Sequence, residues 1–441
     1  MKKNRREIPQ DLDSRKETVL HCPDFDPVSL LWRLRERDPE TPLIHIDRER
    51  SSGWSHVPVK VSRVEEDWGA VAVFDHPLLT GGVGRDLPSL ERDRGSRPPF
   101  SAGCVLLLPF ELAELWEPSG GPFPGPSVPA LRCDCFEVVS FHAPSGRLFL
   151  PPGFDLSLLA PASFGPLFSL SFLPGESDSD LKRSLSRVRR GLFEGRYFQV
   201  NLARRFSAGL PEGFDPLAAY ARMRALGPSP FGGFFSWREI FLLSRSPEQL
   251  LAAEGNRIVT RPIAGTAAGS VPEGEEPLLR DAKLLAEHVM TVDLLRNDLG
   301  KVCRPGSVRV PRFLAVESLP HLRHLVSDVE GRLEPGLSRR DLLLSLFPGG
   351  SVTGAPRIAV RREIGLLEGR PRNYYCGTFG YVSESGRSDF ALLIRTLEGA
   401  TGLGSGRISF GAGAGIVADS VEDEEIREIA LKARTMEEVF R

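Results

Sequence analysis

Cysteine is scarce in this sequence, neither sign of charge dominates, and no long apolar run occurs. Six cysteines are spread over 441 residues: Cys22, Cys104, Cys133, Cys135, Cys303 and Cys376. They are too sparse for a disulfide framework in a chain of this size. Cys133 and Cys135 form a lone C-x-C with no second cysteine or histidine pair nearby, which argues against zinc. Lys and Arg number 56 against 58 Asp and Glu, a net charge of -2. That balance argues against a broad nucleic-acid or membrane-attracting surface. The longest apolar run, Val105 to Phe110, is far short of the ~20 residues a membrane span needs. The basic start MKKNRRE leads into no apolar segment, so no secretory signal is expected. A soluble protein of a reducing cytoplasm is the expectation. No P-loop is present. The run Gly411 to Gly415 is not a dinucleotide fingerprint, because its third glycine would fall at Ile416.

What is present reads as two halves. The length alone implies two or three domains or one large layered unit. Residues 1–17 read as a solvated tail. From 18 to 175 the text is punctuated by Pro and Gly, with strand-like runs at 42–44 and 70–74. One helix is expected there, from Pro27 to Arg37, because Val28, Leu31 and Leu34 recur at helical spacing. The catalytic portion is expected from 176 to 441. It opens with a helix ending at Phe193 and a strand from Tyr197 to Phe206.

Three stretches in that portion carry chemistry-bearing residues. The apolar positions Leu284, Leu285, Val289, Val292 and Leu295 predict an amphipathic helix, with Glu287 set among them. A carboxylate there must be paired, protonated or bound to a cation. Next, Arg407 to Phe410 reads as a strand, followed by a glycine-rich turn and a helix on which Glu425, Glu428 and Lys432 share one face. Ser420 and Asp423 are placed to form a capping box for that helix. Carboxylates beside such a turn suit a hard cation. Finally, Pro348 to Arg357 is a glycine- and hydroxyl-bearing loop with Pro356 opening a helix, a plausible anion-binding terminus. The run Asp389 to Thr396 reads as one buried strand, and its Arg395 suits a carboxylate ligand.

Taken in order, RYFQVNLARRF, SRSPEQLL, RPIAGT, AEHVMTVDLLRNDLGKVC, HLRHLVSDVEG, FPGGSVTGAP, YYCGTFGY, DFALLIRTL and GAGAGIVADS resemble the chorismate-utilising enzymes. These include the large subunits of anthranilate and aminodeoxychorismate synthases, with isochorismate and salicylate synthases as relatives. The resemblance runs from about 180 to 441 and is faint before that. It implies an α+β fold of two large antiparallel sheets in a sandwich with flanking helices.

By position, the resemblance implies one Mg²⁺ held by Glu287 and Glu428 with Glu425 beside them, gripping the ring carboxylate of chorismate. Lys432 would sit near that carboxylate. Arg395, Tyr375 and the amides around Gly413 and Gly415 would meet the enolpyruvyl carboxylate. Glu248 matches the general acid that helps the C4 hydroxyl leave, His324 a histidine close to the ring, and Ser351 the substrate-loop hydroxyl. Leu284 departs from the pattern, because many relatives carry a further glutamate there.

The branch of the family turns on few residues. Ala264 matches the anthranilate enzymes, whereas aminodeoxychorismate and isochorismate enzymes usually carry lysine. The loop FPGGSVTGAP, the Tyr-Cys-Gly at 375–377, the short chain and the segment 103–118 resemble the aminodeoxychorismate branch. The nearest match to the tryptophan-binding segment of anthranilate enzymes is Leu43 to Asp47, which lacks its Glu-Ser. The balance favours aminodeoxychorismate synthase component I, with anthranilate synthase component I as the alternative and a non-catalytic binding subunit as a remote one. No G-x-C-x-G elbow occurs, so ammonia is expected from a separate glutamine amidotransferase subunit.

Overall fold

The computed structural model describes residues 17–48, 51–69, 72–82, 97–227, 229–268, 277–319, 322–402 and 406–441. The expected tail therefore lies outside the described residues, except for Glu17.

Among the described residues every strand pairing is antiparallel, and the pairings join 20 strands into one hydrogen-bonded network. Two sheets are distinguishable within it. Both contain part of a long strand pair, Trp54–Asp67 with Ala130–His142. The register of this pair shifts between Pro58 and Arg63. On one side of the shift, residues 131–135 pair with Gly103–Leu108 and lead into the second sheet. On the other side, residues 140–142 pair with Arg147–Leu150 in the first sheet.

Side-chain alternation assigns the layers. In the strand Gly103–Leu108, Val105 and Leu107 enter the core between the sheets while Leu106 enters the outer one. In Ile240–Ser246, Leu242 faces the inner core and Leu243 the outer. This two-residue period is the pleat of a strand covered on both faces. The helices Pro27–Arg37, Asp178–Phe193, Pro216–Ala225 and Glu422–Glu437 cover the first sheet. Leu31, Leu185, Tyr220 and Ile429 are fully buried beneath them. Helices Ala282–Gly300 and Arg339–Leu346 supply Val292 and Leu343 to the other outer core. The expected sandwich architecture is the one observed. Strands from both halves of the chain share both sheets: Leu43–Arg48 pairs with Phe231–Trp237, and Gly103–Leu108 with Thr378–Ser383.

Local expectations fared unevenly. The helix Pro27–Arg37 has the expected bounds, with Asp26 accepting from the Val28 and Ser29 amides at its start. The strand expected around 70–74 is instead a single helical turn at Ala72–Phe74, residues 70–71 being outside the described set. The glycine run is not a turn. Arg407–Ile416 is one unbroken strand, and its glycines pair with residues 201–205. The helix after it begins at Glu422 with Val421 at its cap position. Ser420 forms no capping box, because its hydroxyl is engaged upstream by the Val417 amide.

Candidate active site where paired strands change sheets

Two neighbouring strands leave the first sheet together and enter the second together. Ile240–Ser246 pairs with Thr396–Ala400 in the first sheet. Their continuations, Gln249–Glu254 and Arg387–Leu392, pair in the second. The crossing residues are Pro247 and Glu248 on one chain path and 393–395 on the other. The Arg245 amide donates to the Arg395 carbonyl at 3.1 Å, and the Leu392 amide to that of Glu248 at 3.1 Å. Asp389 to Thr396 is thus not the continuous strand expected. It breaks before Arg395, which adopts a left-handed φ of 49°.

At this crossing Glu248 is 5% exposed. The Ser351 hydroxyl donates to its Oε1 at 2.7 Å. Burial outweighs that bond and pushes the carboxyl up to about 7. Arg395 is half-buried, and among the described residues its guanidinium has no ion pair or side-chain hydrogen bond. Burial, and then the neighbouring Arg245 charge, lower its pKa. A cation withdrawn from water without a counter-ion is suited to receive an anion.

His324 lies on the adjoining strand Leu322–Arg332. Its Nδ1 donates to the Gly265 carbonyl at 2.9 Å. Burial lowers its pKa, the hydrogen bond to Gly265 opposes that, and the Arg395 charge adds to the lowering. Gly265 has φ 60°, and a Cβ there would lie 2.6 Å from Leu284 Cδ2. Leu284 therefore packs against the irregular part of the strand Ile263–Ala268 that orients His324. Ala264 precedes that irregularity, half-buried and opposite Leu325.

A second group of side chains lies between the helices Ala282–Gly300 and Glu422–Glu437. Glu425 is 1% exposed and takes Lys283 Nζ at 2.6 Å on Oε1, while Oε2 is buried without a hydrogen bond among the described residues. Glu287 has a buried Oε1 without a hydrogen bond, and Lys283 Nζ is 3.9 Å away. Burial pushes the Glu287 carboxyl up to about 7; Glu428 and Glu425 add to the rise and Lys283 opposes it. Lys432 bridges Glu428 Oε1 at 2.6 Å and the Gly413 carbonyl at 2.9 Å. The strand Arg407–Ile416 forms the floor. A Cβ on Gly415 would stand 2.6 Å from Gln199 Nε2 and 4.0 Å from Glu287 Oε2, so glycine lets the strand lie close to the carboxylates.

As the side chains stand, no three His, Cys, Asp or Glu among the described residues are spaced to hold a metal. The lysines occupy part of that space. The donor set nevertheless fits a hard divalent cation: it is all oxygen, with two buried oxygens that have no hydrogen bond among the described residues.

Tyr375 lies in the outer core of the second sheet, in one cluster with Leu250 and Val352. It is buried, and its ring packs where a Gly411 side chain would otherwise stand. Burial raises its phenol far above the usual range. The structure thus brings Glu248 to Ser351 and His324 to Arg395, and gathers Glu287, Glu425, Glu428 and Lys432 near Gly413 and Gly415. Lys283 was missed from the sequence, although its spacing four residues before Glu287 was a usable signal.

The model for "chorismate binding enzyme" matches residues 165–438. The chain belongs to the chorismate binding enzyme family. Anthranilate synthase component 1 of Thermus thermophilus is 37% identical over 455 residues, covering 93% of this chain and 94% of that protein. Aminodeoxychorismate synthase component 1 of Salmonella typhimurium is 40% identical over 247 residues, 55% of this chain and 53% of that protein. The crystal structure of anthranilate synthase component I from Streptococcus pneumoniae superposes with a TM-score of 0.70 at 26% identity, over 99% of this chain and 95% of that one. This chorismate-utilising enzyme is therefore similar to relatives of both amination branches. The Thermus similarity extends through the first half, where the motifs carried little. No described helix is long and apolar enough to cross a membrane.

Proposed function

We propose that this enzyme aminates chorismate with ammonia at C4, giving 4-amino-4-deoxychorismate and water. The observation that carries the chemistry is Glu248, a buried carboxyl that accepts from the Ser351 hydroxyl at 2.7 Å and that burial holds near neutrality. A carboxyl titrating at about 7 retains a proton for a departing hydroxyl at working pH. Ser351 fixes the direction of that carboxyl. Arg395 and Tyr375 bind the enolpyruvyl carboxylate, and His324 lies against the ring. Glu287 and Glu428, with Glu425 beside them, would hold Mg²⁺. When bound, that ion supplies positive charge to grip and orient the ring carboxylate. Lys432 adds a further positive charge at the same edge.

The choice of C4 rests on Gly349-Gly350-Ser351, on Tyr375-Cys376-Gly377 and on the segment 103–118. The second reading, anthranilate with release of pyruvate, is favoured by Ala264 and by the Thermus relative that aligns along nearly the whole chain. Ala264 offers no amine for a covalent adduct, so ammonia itself is the nucleophile in either reading. The ammonia source is a separate glutamine amidotransferase subunit, and the setting is the cytoplasm.

The test is product identification from chorismate, Mg²⁺ and ammonium. A product retaining the enolpyruvyl group supports C4 amination. Fluorescent anthranilate with an equivalent of pyruvate moves the enzyme to the other branch.

A further inference from the structure

The segment 103–118 has no role in the site as described, yet one of its side chains reaches the turn that carries Tyr375. Glu111 is 2% exposed. Its Oε1 accepts from the Arg372 amide at 2.6 Å, and its Oε2 from the Asn373 amide at 3.1 Å. The next amide, that of Tyr374, donates to Oε2 of the buried Glu398 at 2.8 Å. Two buried carboxyl groups thus accept from three successive amides; burial pushes Glu111 up to about 8 and raises Glu398 as well.

The turn itself is costly. Asn373 and Cys376 take left-handed φ values of 60° and 65°, a conformation that a residue with a side chain keeps only where its surroundings enforce it. Other contacts from the first half complete the clamp. The Phe110 amide donates to the Asn373 carbonyl at 2.8 Å, and the Tyr374 hydroxyl to that of Pro129 at 2.7 Å. From the clamped turn, the Arg372 guanidinium donates to the Val352 carbonyl, next to Ser351, at 2.7 Å, and to that of Asn201 at 2.8 Å.

We infer that Glu111 is a positioning residue, through which the N-terminal half holds the Tyr375 turn, and the substrate loop behind it, in the geometry that binds chorismate. The inference rests on the reading of Tyr375 as a substrate contact. It gives the N-terminal half a part in substrate binding although none of its residues is placed against substrate.

The test compares E111A, E111Q and Y375A in steady-state assays with chorismate and ammonium varied separately, alongside thermal unfolding. In E111A two buried amides lose their acceptor, and the chorismate KM is expected to rise about tenfold or more. The ammonium KM should be unchanged and kcat should fall less than the chorismate KM rises. E111Q keeps one acceptor oxygen and should fall between E111A and wild type, which serves if E111A does not fold. A lower melting temperature with an unchanged chorismate KM in folded E111Q and E111A overturns the inference. If Y375A raises the chorismate KM and the Glu111 variants do not, the inference alone fails. If Y375A leaves it unchanged, the reading of Tyr375 fails and takes the inference with it.

Discussion

Replacing Glu248 by glutamine separates the two consequences of burying a carboxyl in a reaction site. The displacement of this group from 4.5 to about 7 corresponds to roughly 3 kcal/mol between its two protonation states. Because the folded pKa lies above the unfolded one, the proton stabilises the fold. That stability is fully present below about pH 4.5 and is lost as pH rises through about 7. Glutamine has no proton to lose. The stability of Glu248→Gln relative to wild type should therefore improve by about 2–3 kcal/mol on going from pH 5 to pH 8. Urea denaturation of both proteins at the two pH values measures this, and titrations common to both cancel in the difference. The same variant cannot protonate a leaving hydroxyl, so kcat should fall by about 10²- to 10⁴-fold. Wild-type kcat, expressed against free ammonia, should decline above pH 7. Equal pH dependence of stability in both proteins would refute the burial argument. More than a tenth of wild-type kcat in the variant would refute the acid.

Further expectations can be checked on the same preparation. Ser351→Ala removes the hydrogen bond that stabilises the Glu248 carboxylate, so the alkaline limb of the kcat profile should move up by about one pH unit. Arg395→Ala should raise the chorismate KM about 100-fold with little change in the ammonium KM, since it deletes a charge-assisted anion contact. Chelation should abolish turnover and Mg²⁺ restore it, while Glu287→Gln should weaken Mg²⁺ binding by calorimetry about tenfold or more. The purified chain should use ammonium but not glutamine, and micromolar tryptophan should not inhibit it; turnover with glutamine alone would count against a separate amidotransferase.

The helices were legible because their signals are local. The Pro27–Arg37 helix follows from three apolar positions, and the Glu287 helix from an apolar stripe. The strand at Arg407–Ile416 was misread across its glycines because glycine usually marks a turn. Here it instead lets the strand run close to Glu287 and Gln199, a constraint set by the layer above it. The break before Arg395 was equally invisible: an apolar run does not reveal where a strand changes sheets. Ser420 failed as a cap because its hydroxyl turned to the Val417 amide within the loop. The candidate residues themselves came from the order of motifs. The partners they meet, Ser351 on Glu248 and the unforeseen Lys283 on Glu425, arise from contacts 103 and 142 residues apart. Glu111 lies 261 residues from the Arg372 amide it holds, and no spacing rule reaches that far.

The most direct test of the central claim is the product formed by the purified chain from chorismate, Mg²⁺ and ammonium, read by mass spectrometry and fluorescence. Amination at C4 predicts a nonfluorescent amino compound that keeps its enolpyruvyl group and yields p-aminobenzoate only when a lyase is added. Fluorescent anthranilate with equimolar pyruvate would contradict the C4 assignment and make Ala264 the residue that decides the branch.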